Sequence, residues 1–172
     1  ESDGYVSGQQ LCERFHVSRT AVWKVIQQLK EEGYEVEAVK NRGYRIMTTP
    51  DVITAEEISS RLHTNWMAEN CIYLESVDST NNYAKRIAED GTPSGTLVVA
   101  DEQTGGKGRR GRSWSTPKGS NIAMTLLLRP RFRPEHASRM TLLAAMAVTC
   151  GIRRVTGLDA GIKWPNDVVV NG

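Results

Sequence analysis

The sequence predicts an α+β fold built in two parts. Three observations carry this. Residues 7–47 hold two short capped helices followed by a hairpin with a basic tip. The stretch "MTTPDVIT" at 47–54 then loses apolar periodicity around Pro50. Beyond it strands and helices alternate, but two adjacent strand pairs are joined without a helix. That pattern predicts a mixed sheet with helices packed on it, not a doubly wound parallel sheet. The expected division is a first domain at 1–48, a linker at 49–54 and a second domain at 55–172.

In the first part, Ser7 followed by Gln10 reads as a capping box, with Leu11 and Phe15 on the apolar side of the helix. "FHVS" at 15–18 makes a turn, and Ser18 caps a second helix. Val22, Val25, Ile26 and Leu29 form its expected buried stripe, and Gly33 stops it. The opposite face carries Arg19, Thr20, Trp23, Lys24, Gln27 and Lys30. A strand over 34–39, a turn with Lys40, Asn41, Arg42 and Gly43, and a returning strand over 44–47 follow.

Helix, turn, helix and basic-tipped hairpin is the grammar of a winged helix-turn-helix. A helix of this width fits the major groove of DNA, where its first residues reach base edges. Arg19, Thr20, Trp23, Lys24 and Gln27 are the candidates for that contact, and Lys40 and Arg42 for phosphate neutralisation alongside. The competing reading is a small module whose charged face only solvates the surface. From 14 to 45 there are seven cations and four acids, and the acids gather at the far end of the helix and in the first wing strand. Winged modules usually carry a helix before the first one seen here, and only "ESDGY" precedes it, so the module is expected to be incomplete.

In the second part, a helix over 55–62 leads to a strand over 71–77 and a helix over 80–88, capped near Asp78 or Ser79. "DGTPSG" turns into a strand over 96–101, followed by a glycine-arginine loop and a strand over 121–128. A long, mostly apolar helix over 137–155 precedes strands over 161–164 and 168–170. The last residues, "VVVNG", carry the Asn-Gly signal of a tight hairpin, so a returning strand is expected beyond Gly172.

Composition narrows the function. Hydrophobic residues at 39% and charged residues at 24% are those of an ordinary globular protein, and the net charge is only +2. Any anion-binding role must therefore come from local clustering. Cys12, Cys71 and Cys150 lie far apart, which favours reduced thiols in a cytoplasmic protein over a disulfide framework. His16, His63 and His136 are scattered without metal-ligand spacing. No apolar run approaches the roughly 20 residues of a membrane span, and nothing resembles a signal peptide.

Local clustering appears in "QTGGKGRRGRSW" at 103–114, with four glycines, four cations and no acid. Gly105, Gly106, Gly108 and Gly111 let the backbone approach a ligand, and arginine adds forked donors for phosphate or carboxylate. It is neither a Walker loop nor a dinucleotide fingerprint. A loop closing over a nucleotide or polyanion and a basic surface loop fit it equally. Trp114 suits stacking on an adenine as well as anchoring the loop in the core.

Two smaller stretches bear on the ligand. "DSTN" at 78–81 offers hydroxyls, an amide and helix N-terminal N–H groups, which suit a neutral polar head group as they suit a helix cap. "KWPND" at 163–167 places a cation, an aromatic, an amide and a carboxylate at a strand end. Its Asn166-Asp167 pair is also ordinary turn chemistry.

In this order, "SVDSTNNYA" (76–84), "GKGRRGRSW" (106–114) and "KWPNDVVVNG" (163–172) resemble the biotin protein ligases. With the winged module the chain is similar to the bifunctional bacterial type, which is also the biotin operon repressor. The resemblance implies a mixed-sheet catalytic domain of the class II synthetase-like type. It implies an ATP-dependent reaction in which biotin's carboxylate attacks the α-phosphate of MgATP, giving biotinyl-5′-AMP and pyrophosphate. A lysine of a biotin carrier domain, part of a biotin-dependent carboxylase, then attacks the mixed anhydride.

Carried over by position, the resemblance implies that Ser79, Thr80, Asn81 and Gln103 contact the ureido ring of biotin. It implies that Lys107, Gly108 and Arg109 fold over biotin and the phosphates, with Arg109 the main electrostatic catalyst. Arg109, Arg112, Trp114, Lys163, Asn166 and Asp167 fall on the ATP side, Trp114 against the adenine and Asp167 also among the catalytic residues. No protein metal site is expected beyond Mg2+ arriving with ATP. Biotinyl-AMP is expected to promote a homodimer and so operator DNA binding.

Lys107 departs from the arginine of many members, exchanging a fork for a point charge. The family's adenylation lysine follows the "NG" turn, and a small β-barrel ends the protein; both would lie beyond Gly172, so the catalytic domain is expected to be incomplete here. Two rivals stand beside this reading: a non-catalytic DNA-binding regulator that senses a small molecule, and a related acyl ligase for lipoate.

Overall fold

The structure is a computed structural model that describes residues 4–108 and 111–171. The chain divides into two compact units after Leu128.

The first unit opens with the helix pair. Helix α1 (Gly8–Phe15) starts on the expected capping box. The Gln10 N–H donates to Ser7 Oγ at 3.1 Å, and the Ser7 N–H donates to Gln10 Oε1 at 2.9 Å. Helix α2 (Arg19–Glu31) is capped by Ser18, which accepts the Ala21 N–H at 3.2 Å. It ends in a Schellman motif: the Tyr34 N–H reaches the Leu29 carbonyl and the Gly33 N–H reaches that of Lys30, with Gly33 at φ +94°. Val22, Ile26 and Val36 form the small core, with Leu11, Leu29 and Tyr44 packed against it.

Val25 departs from the expected stripe and is 54% exposed. At about 100° per residue the buried arc centres on Val22, Ile26 and Leu29, and Val25 falls on its flank. With Phe15, Val17 and Ile46 it lines an apolar groove of about 780 Å³.

Strands β1 (Glu35–Val39) and β2 (Gly43–Thr48) form the antiparallel wing. Val6, ahead of α1, bridges Tyr44 with a pair of 2.9 Å backbone bonds. Gly43 makes this possible: a Cβ there would lie 2.2 Å from the Val6 carbonyl oxygen, at a φ of +112°.

Thr54 caps α3 (Ala55–Arg61) by accepting the Glu57 N–H. Strand β3 (Cys71–Val77) then runs parallel to β4 (Leu97–Lys107), with α4 (Thr80–Glu89) as the crossover that parallel pairing requires. Strands β5 (Ser113–Thr116) and β6 (Ala123–Leu126) both pair antiparallel with β4. By register, β6 follows the first half of β4 and β5 its end. One parallel and two antiparallel pairs make the mixed sheet that the sequence predicts.

Leu97 and Val99 face a core closed by Ile53, Ile58 and Leu62 of the α3 region. Val98 and Ala100 alternate to the other face and are fully buried.

The glycine-arginine stretch differs from expectation. It is not a loop from Gln103 onward, because β4 continues to Lys107 and pairs there with β5. A register shift between Gln103 and Gly106 bends the hairpin. At Gly106 the two backbones come so close that a Cβ would stand 2.5 Å from the Trp114 carbonyl oxygen.

The second unit holds a short 3-10 turn (Pro134–His136), α5 (Ser138–Thr156) and the antiparallel hairpin of β7 (Ala160–Lys163) and β8 (Asp167–Val170). This hairpin forms a two-stranded sheet. Gly157 ends α5 at φ +72°, and the Arg153 guanidinium ties the helix to Asp159 and to the Ala160 carbonyl. Asn171 stands at φ +59°, the left-handed conformation wanted by the first position of a tight hairpin turn. Among the described residues no helix is long and apolar enough to cross a membrane.

Candidate functional site

The crossover from β3 into α4 creates a polar corner against the end of β4. Ser79 occupies the N-cap position of α4 and is buried, but its hydroxyl makes no capping bond. Gln103 of β4 supplies the cap instead. Its Oε1 accepts the Thr80 N–H at 2.8 Å and the Thr80 hydroxyl at 3.0 Å. Its Nε2 donates to Thr116 Oγ1 at 3.2 Å. The Thr125 hydroxyl lies 2.9 Å from Thr80 Oγ1 and 3.1 Å from Asn81 Oδ1. The Gly105 N–H donates to the Asp78 carbonyl at 2.8 Å, closing the corner.

Ser79, Thr80, Asn81 and Gln103, picked from two separate stretches of sequence, are thus brought together. Thr116 and Thr125 complete the network and were not legible. Thr116 follows the glycine-arginine stretch, where the sequence predicts no strand, and Thr125 lies in an expected strand whose pairing with β4 has no local signature.

The cationic hairpin adjoins this corner. Lys107 is exposed at the end of β4, opposite Ser113, and the Gly108 N–H donates to the Arg112 carbonyl at 2.7 Å. Arg112 is exposed. Trp114 is 63% exposed, which removes the reading of its indole as a core anchor. Arg109, the expected electrostatic catalyst, and Arg110 lie outside the described residues. Lys118, the next cation along, pairs with Glu75 at 2.5 Å; that contact holds the Glu75 carboxyl below the usual carboxylate range and the Lys118 ammonium above its own. Asp78 is also held low, by the Asn82 side-chain amide first and its own backbone contact with Ser79 second.

In the second unit, "KWPND" is the turn of the β7–β8 hairpin. Lys163 and Asp167 face each other in register, and the Asn166 amide donates to Asp167 Oδ1 at 2.9 Å. Trp164 is 72% exposed, so the turn presents its aromatic face outward.

On the N-terminal module, Thr20, Trp23 and Lys24 are exposed along one face of α2, while Gln27 is half-buried. Arg19 is held by Gln9 Oε1 at 3.0 Å. Lys40 is exposed at the wing tip. The Arg42 guanidinium sits 4.5 Å above the Tyr5 ring, with that of Arg45 at 4.7 Å, and the Tyr5 hydroxyl donates to Glu37. Tyr5, ahead of α1, therefore ties two cations and an acid of the wing together. No cluster of three metal-ligating side chains occurs among the described residues.

Comparison with known proteins places these sites in context. The model of the biotin/lipoate A/B protein ligase family matches residues 73–172, and one described as an HTH domain matches residues 1–45. The bifunctional ligase/repressor BirA of Bacillus spizizenii is 45% identical over 168 residues, covering 98% of this chain and 52% of that protein. The protein of the same description from Escherichia coli is 33% identical over 163 residues, covering 94% and 49%. The chain spans about half the length of the curated relatives it matches.

Among solved structures, the biotin protein ligase of Leishmania major in complex with biotinyl-5-AMP aligns with a TM-score of 0.53 and 30% identity, over 60% of this chain and 48% of that one. The enzyme from Aquifex aeolicus in complex with biotin and ATP aligns with a TM-score of 0.50 and 36% identity, over 58% and 41%. With more than half of its residues under the ligase model, the chain belongs to the biotin/lipoate A/B protein ligase family.

Proposed function

We propose that this chain is part of an ATP-dependent biotin–protein ligase that also acts as a biotin-responsive repressor. In this reading residues 1–48 bind operator DNA, 49–54 link, and 55–172 bind biotin and ATP. The observation that carries it is the corner built by Gln103, Thr80 and Asn81 beside a glycine-rich cationic hairpin. A cyclic urea presents one carbonyl acceptor and two N–H donors without charge, and the corner offers amide and hydroxyl groups of both senses. The adjoining cations suit the other half of the task.

Biotin's carboxylate and the triphosphate repel each other, so their approach needs positive charge held in place. A carboxylate oxygen forms the bond to the α-phosphorus as the bond to the bridging oxygen breaks, and pyrophosphate leaves. The carrier lysine's amine then attacks the acyl carbon, AMP leaves with the bonding pair, and the amine loses its proton. Lys107, Gly108 and Arg109 cover the reacting groups, with Arg109 the electrostatic catalyst. Arg112, Trp114, Lys163, Asn166 and Asp167 serve the nucleotide. Mg2+ enters on the phosphates of ATP.

The partners are the biotin carrier domain of a carboxylase, operator DNA and, with ligand bound, a second copy of the protein, all in the cytoplasm. Arg19, Thr20, Trp23, Lys24 and Gln27 face the groove, and Lys40 and Arg42 the phosphates. Biotin-dependent exchange of pyrophosphate into ATP by the full-length protein tests the enzymatic reading. Its absence would favour a non-catalytic regulator, and tighter binding of lipoate than biotin would favour the sister activity.

A further inference from the structure

Gln103 is held at three points, and the identity of one partner fixes how its amide stands. The Thr80 main-chain N–H can only donate, so the atom facing it at 2.8 Å must be the carbonyl oxygen. Nε2 is thereby turned to Thr116, whose hydroxyl must accept at 3.2 Å. A primary amide has two N–H donors, so one more remains for an acceptor.

Thr116 is well placed to hold this arrangement. It lies directly opposite Gln103 across the β4–β5 pair, at the last regular register position before the shift toward Gly106. It is 1% exposed, whereas Trp114, two residues earlier on the same strand, is open to solvent. The Thr116 hydroxyl is thus shielded from water, and its loss would take from Nε2 the partner it has within the protein.

We propose that Thr116 is a positioning residue for ligand recognition. It holds the Gln103 amide so that the remaining Nε2 hydrogen is presented to a carbonyl oxygen of the bound head group. The proposal rests on the biotin reading above, since the ureido carbonyl is the acceptor it names. Thr116 itself touches no ligand, and its effect passes entirely through Gln103.

The test is calorimetric binding of biotin to the full-length protein and to Thr116→Val, Thr116→Ser and Gln103→Ala variants. Thr116→Val is expected to weaken biotin binding about three- to tenfold, the range of one neutral hydrogen bond. Thr116→Ser, which keeps the hydroxyl, restores it. The deciding measurement is Thr116→Val in the Gln103→Ala background, where the substitution should have no further effect. A residue that merely supports the hairpin would weaken binding equally in both backgrounds, and that outcome overturns the proposal, as does unchanged binding in Thr116→Val alone. Failure of the wild-type protein to bind biotin would instead remove the reading beneath it, a result separable from either.

Discussion

The Tyr34 hydroxyl donates to the Glu57 carboxylate, joining the stretch between α2 and β1 to helix α3. Arg61 reaches the same carboxylate at 3.0 Å from one helical turn on. The segment at 49–54 is thus spanned by a side-chain clasp, although its composition reads only as a connector. Removing the hydroxyl with Tyr34→Phe should lower stability by about 1 kcal/mol and the unfolding midpoint by a few degrees. An unchanged midpoint in thermal unfolding would show that the clasp contributes nothing.

The same contact has a pH signature. The Tyr34 hydroxyl, and Arg61 after it, hold the Glu57 carboxyl below the usual carboxylate range. The folded value is depressed, so this contribution is present above the unfolded pKa and is lost as pH falls through the folded one. Glu57 in turn, with burial second, pushes the Tyr34 phenol up to about 12. That raised value stabilises below the phenol's unfolded pKa and fades as pH climbs toward 12. Urea unfolding between neutral pH and pH below 4 should show a shallower acid loss in Glu57→Gln than in wild type; parallel curves would sink the assignment.

Gly106→Ala should damage the hairpin. The new Cβ would meet a main-chain oxygen of Trp114 at 2.5 Å, and backbone cannot swing aside as a side chain can. We expect destabilisation of about 1–3 kcal/mol, with β4–β5 pairing the first casualty. Hydrogen exchange of the Trp114 and Thr116 amides reads this directly, and protection equal to wild type would refute it.

Arg109→Ala in the full-length protein should slow adenylate formation about a hundredfold or more, the scale of one lost electrostatic stabiliser, or release biotinyl-AMP into solution. Single-turnover formation of biotinyl-AMP, followed with and without trapping of the free intermediate, measures both. If neither changes, the assignment of this hairpin to the phosphates is wrong.

Arg42→Ala should weaken DNA binding about equally across sequences and reduce the salt slope by about 1, as loss of one phosphate contact requires. Tyr5→Leu should act in the same direction but less, because it removes the ring beneath Arg42 and not the charge. Anisotropy titrations at several salt concentrations distinguish the two, and a sequence-selective loss for Arg42→Ala would move it from phosphate to base.

By itself the sequence determined whatever local chemistry encodes. The Ser7–Gln10 box, the Ser18 cap and the Gly33 stop each act within a few residues, so the helices could be read from pattern alone. The same holds for the wing, the β3–α4 crossover and the residue types of the polar corner. Tertiary structure decided which residues meet. Gln103 capping α4 in place of Ser79, Thr116 behind Gln103, Tyr5 beneath Arg42 and Tyr34 on Glu57 join positions 13 to 37 residues apart, and their register has no local signature. It also decided that the glycine-rich stretch is mostly strand. A local reading sees only glycine's freedom to turn, whereas Gly106 is used because two backbones must nearly touch.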